Sequence, residues 1–184
     1  MESSERVVYQ GKWLQFSEVA FKDKHGTERS WETIRRTSSG QAVTILAIVE
    51  NKSSSSQIVC IRQFRPSVNN YVIELPAGLI DPEESPEAAA QRELLEETGF
   101  EGDIISVGPL VLNSPGMSSE GCYLVSLRVT HQTQAKLERD EDIETILIPV
   151  DTMQNHLLKL ESCNNRIDAK LWSLNVGLKM NKMI

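Results

Sequence analysis

The first forty residues contain short runs in which apolar and polar side chains alternate, as they do in half-buried strands. Two such runs, "RVVYQGKWLQFSEVAFK" and "RSWETIRRT", flank the polar segment "DKHGTE", in which Gly26 suits a hairpin turn. The segment "SSGQ" then interrupts the alternation. We predict a small antiparallel β unit over residues 1–40 and a larger domain over residues 41–184.

The runs that follow are longer and almost continuously apolar. "AVTILAIVE" and "QIVCIRQF" are rich in β-branched residues, which is typical of strands that are covered on both faces. Further strands are predicted at "YVIELPAG", "DIISVGPLVL", "CYLVSLRVT" and "TILIPV", and the C-terminal segment shows apolar residues at helical spacing in two blocks. This mixture indicates an α/β or α+β fold built in layers around a mixed sheet.

One helix is predicted with both of its ends defined, over about residues 86–98. Ser85 is a suitable N-cap, Pro86 suits the first helical position, and Gly99 can adopt the left-handed conformation that ends a helix. At about 100° per residue, Ala88 and Leu95 lie roughly opposite the acidic residues of the helix, and Ala90 and Leu94 occupy one flank. We therefore expect the helix to pack against the rest of the protein on this back and this flank.

The other face of this helix carries three carboxylates, those of Glu93, Glu96 and Glu97. Like charges at this spacing repel by roughly 0.2–0.5 kcal/mol per pair. One interpretation is a solvated face on which Arg92 pairs with Glu96. Because the helix follows a strand and a Pro-Ala-Gly turn, the carboxylates also lie near the end of a sheet, where they could bind Mg²⁺ or Mn²⁺ through oxygen.

The net charge of −7 argues against a nucleic-acid backbone as the partner, because such binding needs a basic surface. No apolar run approaches the roughly 20 residues of a membrane span, and the start "MESSERVVYQ" has no signal-peptide core. We expect a protein without a membrane partner, located in the cytoplasm, with the nucleus as a further compartment.

The three cysteines are odd in number and far apart, so neither a disulfide framework nor a zinc site is indicated. We expect Cys60, Cys122 and Cys163 each to be buried as a small apolar side chain.

The acidic helix belongs to a longer pattern that begins at a glycine before it. The pattern is Gly, five residues, Glu, seven residues, Arg-Glu, a hydrophobic residue, any residue, Glu-Glu, any residue, Gly and a hydrophobic residue. It is matched without departure by Gly78, Glu84, Arg92, Glu93, Leu94, Glu96, Glu97, Gly99 and Phe100. This resembles the signature of the Nudix hydrolases, which implies an α/β/α sandwich and metal-dependent cleavage of a nucleoside diphosphate linked to another group.

The resemblance also implies roles for single residues. Glu93 and Glu97 would be direct metal ligands and part of the catalytic machinery, and Glu96 would be a further ligand or would hold a metal-bound water. The backbone carbonyl of Ala77 would be an additional ligand. Arg92 and Glu84 would orient the carboxylates.

Outside the signature, the segment "IRQFRPSVNNYVIELPAGLIDPEESPEAAAQRELLEETGF" and Pro115 in "NSPGMSSE" resemble the ADP-sugar pyrophosphatase branch of this family. The resemblance implies hydrolysis of ADP-ribose to AMP and ribose 5-phosphate with Mg²⁺, for which Mn²⁺ can substitute. It also implies a homodimer in which the N-terminal unit crosses to the partner. The implied substrate contacts are Trp13, Trp31, Arg36, Arg65, Glu74 and Met117.

Some of these assignments leave alternatives. The two tryptophans would stack on the adenine, but they could instead form the core of a small hairpin. The general base would be Glu141, with Asp142 and Glu144 as neighbouring alternatives and a merely solvated acidic loop as another interpretation. Arg35 and Arg62 are expected to be solvated.

The substrate itself also stays open between ADP-ribose, other ADP-sugars and oxidised guanine nucleoside diphosphates, because the residues of the loop at 113–120 differ in detail from those of the branch. A noncatalytic ADP-ribose-binding module is a further alternative. It is disfavoured because Glu93, Glu96 and Glu97 are all present.

Overall fold

The N-terminal segment forms a sheet of its own. The computed structural model describes residues 3–38, 40–51, 53–137 and 142–181. The first three strands are β1 (Ser3–Gln10), β2 (Leu14–Lys22) and β3 (Glu28–Arg36), and they pair antiparallel in the order β1-β2-β3. The predicted antiparallel β unit is therefore confirmed, with three strands because the chain turns between Gln10 and Leu14 as well as at Gly26, whose φ is +80°.

A second, larger sheet contains both parallel and antiparallel pairs. Its strands are β4 (Ala42–Val49), β5 (Gln57–Arg65), β6 (Asn70–Glu74), β7 (Ala77–Leu79), β8 (Phe100–Leu112), β9 (Gly121–Gln132), β10 (Ile143–Pro149) and β11 (Arg166–Ile167). The main order is β11-β6-β5-β4-β9-β8, with β10 beside β5 and β7 beside β4. β4 pairs parallel with β9, and β6 pairs parallel with β11. The prediction of a mixed sheet is confirmed, although the short β7 and β11 had no sequence signal of their own.

Helices cover both faces of this sheet. They are α1 (Pro86–Thr98), α2 (Met153–Ser162), which follows a 3-10 turn, and α3 (Ala169–Asn181). One core joins α1 to buried side chains of β4, β5 and β9, and the other joins α2 and α3 to side chains that include Ile58, Cys60 and Ile73. Because alternate residues of β5 enter the two cores, the sheet is covered on both faces, as an α/β/α sandwich requires.

The ends of α1 are as the sequence predicts. The Ser85 hydroxyl accepts a hydrogen bond from the backbone N–H of Ala88 at 3.2 Å, and Gly99, with φ +73°, donates its N–H to the carbonyl of Leu95. A Cβ at Gly99 would lie 2.5 Å from the carbonyl oxygen of Thr133, so this position requires glycine for space as well as for conformation.

The predicted packing of α1 is confirmed on its flank and wrong on its back. Ala90 and Leu94 are fully buried, together with Ala89, whereas Ala88 is exposed and Leu95 is only half-buried. Angles around a helix axis relate its side chains to one another, but the sheet beneath decides which side is covered.

The cysteines divide into two kinds. Cys60 and Cys122 are buried, as expected, but Cys163 is exposed, so the expectation for that residue was wrong. Cys163 follows the last turn of α2, where the chain lies at the surface. In the part of the chain that the structure describes, we find no helix with the length and apolar character that a bilayer crossing demands.

Candidate active site

The strand β7 and the helix α1 bring the first predicted ligand against the backbone. β7 pairs with β4 through Val43 and Gly78, and α1 packs across the same strand end. A Cβ built on Gly78 would lie 2.0 Å from both the carboxylate carbon and one carboxylate oxygen of Glu93. The missing side chain at residue 78 therefore makes the space that the Glu93 carboxylate fills.

The second predicted ligand is held at the neighbouring residue of the same strand. Glu97 is only 3% exposed, and its Oε2 accepts the backbone N–H of Ala77 at 3.1 Å. Burial of a carboxylate is costly unless it is hydrogen-bonded or paired with a charge. Both glutamates therefore approach β7, Glu93 at Gly78 and Glu97 at Ala77. The carbonyl of Ala77 is the additional metal ligand that the family resemblance implies.

Arg92 connects two of the three carboxylates to the loop before the helix. Its Nε and Nη2 bond both oxygens of Glu84 at 3.0 and 2.9 Å, and Nη2 also donates to the carbonyl of Leu79 at 2.9 Å. Its Nη1 donates to Glu93 at 2.8 Å and to Glu96 at 3.1 Å. The arginine therefore compensates part of the repulsion on this face, as one sequence interpretation proposed.

This network changes the acidity of its members. The forked hydrogen bonds that Arg92 donates to Glu84 lower the pKa of Glu84 and raise the pKa of the Arg92 guanidinium, with smaller contributions to the latter from Glu93 and Glu96. Both groups therefore stay charged at neutral pH. Because Glu84 fixes the Arg92 guanidinium, the guanidinium can orient the carboxylates of Glu93 and Glu96.

The donor set fits a hard divalent cation. Carboxylate oxygens on one helical turn beside a strand end are the ligands that Mg²⁺ and Mn²⁺ prefer, and the space at Gly78 brings one of them to the backbone. Among the residues that the structure describes, no group of three or more histidine, cysteine, aspartate or glutamate side chains is already clustered as a metal site. In this arrangement Arg92 bonds two of the three glutamates.

A second arginine lies on the sheet near these carboxylates. The Nε and Nη2 of Arg65, in β5, bond both carboxylate oxygens of Glu74, in β6, at 2.7 and 3.0 Å. This fork raises the pKa of Arg65, and the charge of Glu97 contributes in the same direction. The structure therefore brings the predicted substrate contacts Arg65 and Glu74 together and within the electrostatic reach of Glu97.

Three of the other predicted substrate contacts, Trp31, Arg36 and Met117, lie where β3 meets the loop at 113–120, whereas Trp13 lies in the turn between β1 and β2. The backbone N–H of Ile34 and the hydroxyl of Thr33 both donate to the carbonyl of Met117, at 2.9 and 3.1 Å. The indole N–H of Trp31 donates to the carbonyl of Gly116 at 3.2 Å. The Met117 side chain is exposed.

Both predicted stacking residues present their rings to solvent in the single chain. Trp13 is 67% exposed and Trp31 is 53% exposed. The alternative interpretation, in which the two indoles form the core of the N-terminal hairpin, is therefore wrong for the single chain.

The predicted general base, Glu141, lies outside the described residues. Its two alternatives are each engaged. Asp142 accepts the phenol of Tyr71 at 2.6 Å, which raises the pKa of Tyr71, and Glu144 lies 3.5 Å from Arg62, its partner in the register of β5 and β10.

The expectation that Arg62 is solvated was wrong. Its guanidinium stacks 3.6 Å above the Tyr71 ring, and its Nε donates to Asn165 at 2.8 Å. Arg35 is exposed as expected, although it pairs with Glu5 at 3.0 Å.

Two contacts between distant residues were not predicted from the sequence. Glu120 bonds Arg36 across 84 positions of the chain, and Tyr71 reaches Asp142 across 71. Neither pair has a sequence signal, since tertiary contacts between distant segments follow no fixed spacing. Only their charge and polarity could have marked them as candidates.

Comparisons with known proteins agree with this geometry. The model of the NUDIX domain matches residues 40–171. The chain is 31% identical to the ADP-sugar pyrophosphatase of Mus musculus, over 96% of this chain and 86% of that protein. It is 36% identical to the ADP-ribose pyrophosphatase of Saccharomyces cerevisiae, over 93% of this chain and 79% of that one.

A solved structure has the same fold. The crystal structure of an ADP compounds hydrolase superposes with a TM-score of 0.69 at 24% identity, covering 84% of this chain and 80% of that one. The predicted fold class is thereby confirmed. The signature residues, the matched domain and the two relatives together establish that this chain belongs to the Nudix family of hydrolases.

Proposed function

We propose that this protein hydrolyses the pyrophosphate bond of ADP-ribose and related ADP-sugars, producing AMP and a sugar phosphate. The observation that carries the proposal is the pair Glu93 and Glu97, held against Gly78 and Ala77 at the end of β7. The named relatives, which match nearly the whole chain, support the choice of substrate.

The proposed metal is Mg²⁺, for which Mn²⁺ can substitute. The groups that would hold it are Glu93, Glu96, Glu97 and the carbonyl of Ala77. Such a cation neutralises charge on a diphosphate and lowers the pKa of water.

The chain's own residues do the rest of the work. Arg92, fixed by Glu84, orients Glu93 and Glu96 through hydrogen bonds of 2.8 and 3.1 Å. Glu141 is proposed as the general base that takes the proton from the attacking water. Its neighbours Asp142 and Glu144, the alternatives for this role, contact Tyr71 and Arg62.

Arg36 and Arg65 are the proposed contacts to the diphosphate, since a guanidinium bonds phosphate oxygens in forked geometry. Each is already held by a carboxylate, Arg65 by Glu74 and Arg36 by Glu120. A side chain that is fixed before the substrate arrives loses less conformational entropy on binding. Met117, exposed on the loop at 113–120, is the proposed contact to the terminal sugar.

Trp13 and Trp31 are the proposed stacking partners of the adenine, a contact worth roughly 1–3 kcal/mol per base. In one chain they line different cavities. Trp31 shares one with Val19 and Phe21, and Trp13 shares another with Phe16 and Ile34. In the register of β2 and β3, Val19 pairs with Trp31 and Phe16 with Ile34, and these two pairs lie on opposite faces of the sheet.

One chain is therefore badly arranged to sandwich a base between its two indoles. This supports a homodimer in which the unit at residues 1–40 crosses to the partner, so that each base meets one tryptophan of each copy. The exposed apolar side chains of the same sheet support a covered surface there, and they include Val7, Val8, Tyr9 and Leu14.

The test is an assay of purified protein with Mg²⁺ and ADP-ribose, with products separated by chromatography. We expect AMP and ribose 5-phosphate in equal amounts, and their loss in Glu97→Gln. Substrate competition with 8-oxo-dGDP addresses the alternative. Preferred release of orthophosphate and a monophosphate from that nucleotide would replace the proposal, and binding of ADP-ribose without turnover would indicate a noncatalytic module.

A further inference from the structure

Arg36 and Glu120 form an ion pair at the end of β3. The Nε of Arg36 lies 2.5 Å from Oε1 of Glu120, and the two side chains are 39% and 29% exposed. Among the residues that the structure describes, Nε is the only nitrogen of this guanidinium with a bonded acceptor. Glu120 therefore takes one edge of the guanidinium and leaves the two terminal nitrogens for another acceptor.

Glu120 is itself held by a well-bonded loop. Its backbone N–H donates to the Ser118 hydroxyl at 2.9 Å, and its carbonyl accepts the N–H of Asn113 at 3.1 Å. The same loop is joined to β3 through the two hydrogen bonds to the Met117 carbonyl. The position of the Glu120 carboxylate is thus set by the loop and by β3 together.

The pair lies beside the strand that carries the signature glycine. Arg36 and Glu120 line a cavity of about 280 Å³. A Cβ at Gly40 would lie 3.8 Å from Cδ of Arg36 and 3.3 Å from Cδ2 of Leu79, the last residue of β7. The arginine is therefore a near neighbour of the strand against which Glu93 is packed.

A carboxylate at this place is unfavourable for an anionic ligand on charge alone, because it repels a phosphate. The contact of the Glu120 carboxylate with Nε of Arg36 explains why a carboxylate is present there. We propose that Glu120 is a positioning residue that fixes the Arg36 guanidinium so that its terminal nitrogens meet the diphosphate of the substrate. This inference rests on the proposed function.

A positioning role of Glu120 and a purely repulsive effect of its charge predict opposite changes of KM in Glu120→Gln. If the carboxylate only repelled the substrate, its removal would lower KM. If it orients Arg36, KM rises about tenfold while kcat stays within about twofold, because the contact is made in the bound substrate and in the transition state alike. Glu120→Asp, which keeps the charge on a shorter side chain, should restore part of the loss.

A double-mutant cycle identifies the residue through which Glu120 acts. In an Arg36→Ala background, Glu120→Gln should have no further effect on KM, because the group that it positions is gone. The matched control is Glu101→Gln, which removes the same charge from an exposed residue of β8 and should leave KM unchanged. An unchanged or lower KM in Glu120→Gln, or additive effects in the cycle, would overturn the inference.

The binding of ADP with Mg²⁺, measured by calorimetry on the same variants, separates this inference from the proposed function. If the wild type does not hydrolyse ADP-ribose, the proposed function fails. Weaker ADP binding in Glu120→Gln and in Arg36→Ala, with no further loss in the double variant, still supports the positioning role. Unchanged or tighter binding in Glu120→Gln, or no ADP binding to the wild type, contradicts it.

Discussion

The carboxylate of Glu93 fills the space that a side chain at Gly78 would need. The two residues are 15 positions apart in sequence, on β7 and α1, and a Cβ at residue 78 would lie 2.0 Å from the Glu93 carboxylate carbon. The backbone angles do not impose this glycine, because φ at Gly78 is not positive. Glycine is required at residue 78 because the Glu93 carboxylate lies so close to the backbone.

Gly78→Ala should therefore damage the site much more than the fold. The atoms in conflict belong to the end of a flexible side chain, so Glu93 can move aside, and we expect the melting temperature to fall by only about 2–4 °C, equivalent to roughly 1 kcal/mol. Hydrolysis should fall by about 10–100-fold, because the residue that positions a metal ligand has changed. Circular dichroism measures the melting temperature. An activity assay measures hydrolysis, and Mn²⁺ titration shows whether metal binding is weakened with it.

Gly177→Ala is the matched control for this substitution. Gly177 lies within α3, and a Cβ there would meet no atom within 4 Å. Alanine should raise stability by about 0.5–1 kcal/mol, because glycine is a poor helix former, and should leave hydrolysis unchanged. If Gly78→Ala were as active as Gly177→Ala, the fit of Glu93 against residue 78 would have no functional importance.

Acid should weaken the bond between Glu84 and Arg92. Arg92 lowers the pKa of Glu84 in the folded protein, below the roughly 4.3 of an unfolded chain. The pair's contribution is therefore fully present above about pH 4.3 and is lost as pH falls through the lower folded-state pKa. Glu84→Gln should be less stable than the wild type at pH 7, by about 1–3 kcal/mol, and the gap should narrow towards pH 3.

Thermal melts from pH 7 to pH 3 in the presence of a chelator measure this gap. The variant Glu101→Gln, with its exposed side chain, should follow the wild type throughout. A gap between wild type and Glu84→Gln that stayed constant down to pH 3 would mean that Glu84 contributes by packing and not by charge.

The cysteines should differ sharply in reactivity. Burial raises the pKa of the Cys60 thiol to about 12, and Cys122 is 1% exposed, whereas Cys163 is exposed. Because the thiolate is the reactive form, a thiol reagent at pH 8 should label one cysteine quickly in native protein and all three after unfolding. Cys163→Ser should abolish the fast phase, and a fast phase that survived this change would contradict the burial of the other two.

The hydrogen bond from Tyr71 to Asp142 should be visible in a tyrosine titration. The Asp142 carboxylate accepts the phenol at 2.6 Å and opposes its ionisation, which raises the pKa of Tyr71. Ultraviolet absorbance should show a tyrosine that ionises above the usual tyrosine pKa of about 10. The stability that this bond provides is present below about pH 10 and is lost as pH rises through the folded-state pKa of Tyr71.

Asp142→Asn is the variant that tests the cause. It removes the charge and keeps an oxygen acceptor, so the raised pKa of Tyr71 should move back towards its usual value. The stacking of Arg62 on the ring should persist. An unchanged titration in Asp142→Asn would assign the shift to a group other than Asp142.

The sequence by itself determined the local elements and the reaction class. The ends of α1 follow from Ser85, Pro86 and Gly99, because capping and backbone freedom are properties of a few adjacent residues. The grouping of Glu93, Glu96 and Glu97 follows from helical periodicity. The two long apolar runs predict β4 and β5, because a strand that is buried on both faces has apolar residues at successive positions.

Only the tertiary structure decided how these elements face one another. The burial of Glu97, the exposure of Ala88, the packing of Glu93 on Gly78 and the pairing of Arg36 with Glu120 depend on which side of a helix meets the sheet and which loop meets β3. Periodicity gives relative angles within one element, whereas contacts between distant segments arise from the summed packing of the whole chain.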